Sequence, residues 1–186
     1  TTQQVLTLAA VIGNQFDLAT LSIVSQQSLE WVKTSLWEAL VDGLVVPLGE
    51  IYKFVHDRVQ QAAYSLIPEG ERPALHWHIG QLLKTHWGET LGERLFEVVD
   101  HLNQGRSLAT TAEAQMQLVR LNWQAGQQAK LTTAYRTAAE YLHHSHHGLT
   151  PEHWQTAYEL TLPIHLELVE VSYLCGDFDQ METFAD

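Results

Sequence analysis

Between Leu44 and Val55 the apolar residues abandon helical spacing. Leu44 to Leu48 and Ile51 to Val55 are β-rich runs separated only by Gly49-Glu50. Glycine at the first central position of a two-residue loop suits a type II′ hairpin turn. Pro47 lacks a ladder donor and marks an edge strand. Around this hairpin the helical period holds. An apolar helix spans about Gln4 to Ile12 and stops at Gly13, and after the Asn14 to Asp17 turn a second spans Leu18 to Ser25. Ser28 to Asp42 carries Leu29, Val32, Leu36, Ala39 and Leu40 on one stripe, with Gly43 at its end.

Three short helices followed by a hairpin is the order of a winged helix, and the expected fold class is mainly α with one small β-hairpin. Val59, Ala62, Ala63 and Leu66 resume the helical period, and Pro68 to Gly70 close the segment, so the winged unit is expected over 1–67. A helical connector follows over 68–125, with helices from Pro73 to Leu83, Gly92 to Leu102 and Leu108 to Gln124. From 126 the spacing predicts a helix over Gln127 to His144, with Leu131, Ala134, Tyr135, Ala138 and Leu142 on one face. Another is predicted from Pro151 to Leu174, kinked at Pro163. Small residues Ala134, Ala138 and Ala157 beside Tyr135, Tyr141, Trp154 and Tyr158 let antiparallel helices approach, as in tetratricopeptide-type hairpins. Phe178 to Phe184 begins a further unit, so 126–186 reads as the start of a longer helical array.

The chain of 186 residues is long enough to bury a sizeable core. Ten Lys plus Arg against 22 Asp plus Glu give a net charge of -12, which repels phosphate backbones and anionic lipid heads. The imbalance is local. Nine of the acidic residues and no Lys or Arg lie beyond residue 137. Neither nucleic acid nor membrane is an expected partner. A single cysteine, Cys175, forms neither an internal disulfide nor a thiolate metal site, and with no signal peptide before Thr1 the expected location is cytoplasmic. A start at Thr-Thr in mid-pattern reads as a piece of something longer.

The phosphate-cradling G-x-x-x-x-G-K-[ST] and G-x-G-x-x-G patterns are absent, as are G-x-S-x-G, H-E-x-x-H and C-x-x-C. No catalytic residue is expected within the chain. His143, His144, His146 and His147 fall at helical spacings that pair imidazoles on one face, with Glu140 as a conceivable third ligand. Two ligands do not make a metal site, and the tract reads as a solvated helix end. Six of the eleven histidines lie in the stretch without Lys or Arg, which also allows a pH-dependent charge below about pH 6. His76 and His78, two residues apart, point to different helix faces. A winged helix invites DNA, yet Ser28 to Asp42 sets Glu30, Glu38 and Asp42 against Lys33, and the hairpin tip is Gly49-Glu50. Trp31 and Trp37 read as core packing.

One segment stands out, Tyr52 to Tyr64, because it places His56 where the last strand turns into a helix. A helix start attracts anions, so an imidazole there can reach a phosphate delivered from outside. Physical chemistry alone favours the plainer reading, in which Asp57 caps the helix and His56 packs under the hairpin.

Phe54-Val55-His56-Asp57, followed by Arg58 to Tyr64, resembles the strand-to-helix junction of winged-helix modules in STAND-class signalling ATPases. Four further blocks extend the resemblance in order: Leu8 to Asp17, Leu95 to Asn103, Ala125 to Lys130, and Tyr173 to Phe178. Together they are similar to the region after the ATPase in large bacterial multidomain kinases, frequent in cyanobacteria. These join a Ser/Thr kinase-like domain, a STAND ATPase, helical repeats, a GAF domain and often a histidine kinase. The resemblance implies that His56, in a Met-His-Asp type motif whose Met position is Val55, contacts the β-phosphate of ADP, while Asp57 fixes the turn. It implies ADP or ATP with Mg in the parent, an upstream P-loop ATPase domain as intramolecular partner, and a protein or peptide effector on the repeats. The fragment itself is expected to be regulatory and non-catalytic, with a plain interaction scaffold as the rival reading.

Overall fold

The computed structural model describes residues 1–185 and is mainly α-helical with one small antiparallel sheet. The residues gather into two compact units, Thr1–Leu91 and a second from Gly92 onward.

In the first unit α1 (Thr2–Ile12) leads through β1 (Gln15–Asp17) into α2 (Leu18–Ser25) and α3 (Leu29–Val41). The hairpin β2 (Val45–Leu48) and β3 (Ile51–Phe54) follows, then α4 (Asp57–Ser65) and α5 (Arg72–Trp87). Short polar side chains set the starts of the early helices. Asp17 accepts from Thr20 N at 2.7 Å and Ser28 accepts from Trp31 N at 3.2 Å, each satisfying an amide that the first turn leaves free. Gly49 has φ 70, and Glu50 is not in the positive-φ region, the pattern of a type II′ turn.

The sheet has three strands, one more than the expected hairpin, in the order β1-β3-β2. Gln15, Phe16 and Asp17 pair antiparallel with Lys53, Tyr52 and Ile51. Three residues are too few to display a period of two, which is why this strand reads as a turn in the sequence. Its central ring is buried: Phe16 lies 5.7 Å from Phe54 and 6.0 Å from Tyr52 between ring centroids. Val5, Ala9, Leu21, Val32, Leu36 and Val45 complete the core around Phe54. The stripe predicted on α3 faces this core through Val32, Leu36 and Ala39, whereas Leu29, expected on the same stripe, is exposed.

The second unit runs through α6 (Leu95–Gln104), α7 (Ala112–Leu131), α8 (Tyr135–His147), α9 (His153–Thr156), α10 (Tyr158–Cys175) and α11 (Phe178–Ala185). Two expectations are corrected here. The predicted break between Gln124 and Gln127 does not exist, because α7 is continuous across Ala125-Gly126. The turn falls instead at 132–134, where Thr133 takes φ 60. Leu131, expected inward, is therefore 84% exposed, and Ala134 lies outside the helical crossing. The predicted helix over Pro151 to Leu174 is two helices parted at Ala157, whose φ of -144 is not helical, and α10 continues past Pro163.

Helices α7 and α8 are antiparallel. Ala134 N donates to Ala129 O, and Ser145 Oγ donates to Val119 O at 2.9 Å, so the register runs in opposite directions along the pair. Their close approach depends on Gly126, Ala129 and Ala138, while Leu142, Leu160, Ile164, Leu168 and Val171 fill the space beneath. Among the described residues no helix is long and apolar enough to cross a membrane.

Candidate functional site

The strand-to-helix junction is fixed from several sides. Phe54 is fully buried, its N–H donates to Asn14 O at 3.1 Å, and Val55 N donates to Leu44 O at 3.1 Å. The backbone leaves the sheet at His56 with extended angles and enters α4, so the His56 carbonyl accepts from Val59 N at 2.9 Å. Asn14 Nδ2 donates to Asp57 Oδ1 at 3.0 Å, tying the α1–β1 turn to the first turn of α4, and Gln60 Nε2 donates to Ala10 O at 2.8 Å.

This rigid seat presents His56 outward. The imidazole is exposed and makes no capping hydrogen bond, so it does not pack under the hairpin, and the plainer reading fails on that point. Asp57 contributes an acidic group to the first turn of α4 while Asn14 engages its carboxylate. His56, Asp57, Arg58 and Gln61 line a shallow open hollow. On the other flank of α4, Leu6, Leu44, Val59, Ala62 and Leu66 line an apolar groove against α1. An imidazole and a guanidinium stand beside a helix N-terminus, where anions are favoured, and the Asp57 carboxylate in the same hollow opposes them.

The other singled-out residues sit elsewhere. Trp31 packs at the edge of the first core, but Trp37 is 65% exposed on α3, which corrects its reading as core. His76 is buried and its Nε2 lies 3.0 Å from Tyr64 Oη, joining α4 to α5, and burial holds its imidazole below the usual value. His146 meets the His165 ring at 4.8 Å and the Phe184 ring at 5.1 Å, and His143 meets Phe184 at 5.5 Å. The tract is thus partly an interhelical aromatic cluster rather than a solvated helix end. His144 instead points toward Arg106. Among the described residues no three His, Cys, Asp or Glu side chains are placed to hold a metal ion.

A polar network that sequence reasoning did not find joins α7 to α10. Glu167 Oε1 accepts from Trp123 Nε1 at 3.1 Å and from Gln127 Nε2 at 2.8 Å, and Lys130 Nζ lies 2.7 Å from Glu170. Its only trace in the sequence is the recurrence of Trp123, Gln127 and Lys130 at helical spacing, a trace that becomes visible once α7 is one helix.

The chain is similar over almost its whole length to the hybrid signal transduction histidine kinase G of Dictyostelium discoideum. The two are 24% identical over 243 residues, a match that covers 97% of this chain and 7% of that protein. This chain therefore corresponds to a small part of its relative's length. No family model matches it, and no solved structure matches it.

Proposed function

We propose that this chain is a regulatory segment of a signal-transduction protein. In this reading residues 1–67 form a winged-helix module that senses ADP held by an upstream P-loop ATPase domain, and 68–125 form a helical connector. Residues 126–186 begin a tetratricopeptide-like array that relays an effector. The observation that carries the reading is the outward presentation of His56 at a braced strand-to-helix junction. The element order α1-β1-α2-α3-β2-β3, with sheet order β1-β3-β2, supports the winged-helix assignment. Similarity to a signal transduction histidine kinase supports the signalling context.

Bound ADP would supply the phosphate charge that His56 meets. The work of this chain is to hold the imidazole at a fixed place while Asn14 keeps the Asp57 carboxylate occupied. A nucleotide shifts such an equilibrium only through a difference in affinity between the closed and open states, and the His56 contact is that difference for ADP.

The test is ADP and ATP affinity in a longer chain that includes the upstream P-loop domain, with native His56 and with His56→Ala. Loss of one charge-assisted contact is expected to weaken ADP by about tenfold, with a smaller effect on ATP. Equal affinities in the two proteins would overturn nucleotide sensing and leave an interaction scaffold.

A further inference from the structure

A second basic site lies far from His56 in the sequence, wholly within the second unit. The segment between α6 and α7 and the last turns of α8 flank a half-open hollow of about 460 Å³. Its polar lining is Arg106, Ser107, Gln115, His144, His147 and Thr150, and Val119 forms part of its apolar wall. Among the described residues no Asp or Glu lines it, in a chain that carries 22 of them. Arg106 Nη1 lies 3.4 Å from His144 Nδ1, and among the described residues no carboxylate pairs with Arg106. A guanidinium, two imidazoles, two hydroxyls and a side-chain amide therefore face one hollow without an internal counter-ion. Donors in this number around a fixed positive charge are the chemistry of oxyanion recognition.

We propose that this pocket binds a compact phosphate-class oxyanion, free or as a monoester, with Arg106 as the fixed charge and His144 and His147 as hydrogen-bond donors.

The groups around His144 make binding proton-linked. Burial holds its imidazole below the usual value, the Arg106 charge and the neighbouring His147 and His143 act in the same direction, and Glu140 opposes them. Asp100, the other carboxylate near His144, is engaged by Tyr141. A dianion seated against Arg106 reverses the balance and favours the imidazolium. The bound state then favours a proton on His144, a gain that the phosphate's own protonation near its second pKa of about 6 opposes.

Inorganic phosphate titrated into the chain, at constant ionic strength set with chloride and followed by the histidine ring resonances, tests this directly. Saturable shifts of the His144 and His147 rings are expected at about pH 7. Arg106→Gln should weaken binding by about tenfold or more. Arg106 is exposed, so thermal melting of R106Q should match the native chain, and His147→Gln provides a second variant. O-phosphoserine as a parallel probe separates the sources: tighter binding than phosphate marks a monoester ligand, and equal binding marks the free anion. Absence of saturation, or equal affinity in native and R106Q chains, overturns the proposal. His56 lies outside this pocket, so failure of nucleotide sensing leaves this result unaffected, and the reverse holds too.

Discussion

Tyr141 Oη donates to Asp100 Oδ1 at 2.7 Å and thereby ties α8 to α6. The phenyl part of the same side chain stacks on Phe96, with ring centroids 5.5 Å apart, so one residue supplies both an apolar and a polar contact to the neighbouring helix. Burial raises the Asp100 carboxyl above its ordinary range, while the bond from Tyr141 and the nearby His144 pull it back down. The phenol is pushed upward, first by burial and then by the carboxylate it faces.

Replacing Tyr141 by Phe keeps the stack and removes only the hydroxyl. The loss of a hydrogen bond to a carboxylate at a partly solvated site is expected to cost about 1 kcal/mol. It should shrink as Asp100 becomes protonated, because a neutral acid is the weaker acceptor. Urea midpoints of native and Y141F chains at about pH 7 and about pH 4 check both parts. An equal loss at both values would show that the ionised carboxylate contributes nothing to the pair.

At Gly126 the α7–α8 crossing leaves no room for a methyl group. A Cβ there would stand 2.7 Å from Leu142 Cγ and 2.9 Å from Leu142 Cδ2, and Leu142 is fully buried. In an open helix Gly→Ala stabilises by up to about 1 kcal/mol. Here the overlap is expected to outweigh that gain, because forcing a buried leucine from its place costs about 1–3 kcal/mol. Gly126→Ala should therefore lower the thermal midpoint. A rise would mean that α8 moves away freely.

This crossing also shows which parts of the fold were legible in the sequence. Where local chemistry and tertiary context agree, as along Val32, Leu36 and Ala39 of α3 and at the Gly49 turn, the elements follow from the residues. They disagree at the α7–α8 turn. Gly126 resembles a helix breaker but serves packing, whereas Thr133, a β-branched residue ill suited to positive φ, occupies the actual turn. Strand β1 escapes notice for a different reason, since its three residues gain meaning only from pairing with β3. The same limit applies to the sites. His56 is visible because strand, histidine and helix are adjacent in the chain. Arg106 and His144 are 38 residues apart, and only the packing of the unit brings them together.

Acid should destabilise the chain as pH falls below about 6.5. His76, His143, His144 and His146 are all held below the ordinary imidazole value of 6.5, each chiefly by burial. The unfolded chain takes up protons near 6.5 that the folded chain refuses, so stability is fully present above that pH and is lost as pH falls through it toward the folded-state values. His146 offers the cleanest test. It sits against His165 and Phe184, and the charges that act on it come from His165, His147 and His143, all of the same sign. Each such histidine is expected to contribute up to about 1 kcal/mol after solvent screening. Phenylalanine can occupy the same aromatic contacts without titrating. His146→Phe should therefore leave the thermal midpoint nearly unchanged at about pH 8 and raise it relative to the native chain at about pH 5.5. Parallel pH profiles for the two proteins would show that His146 binds protons equally well folded and unfolded.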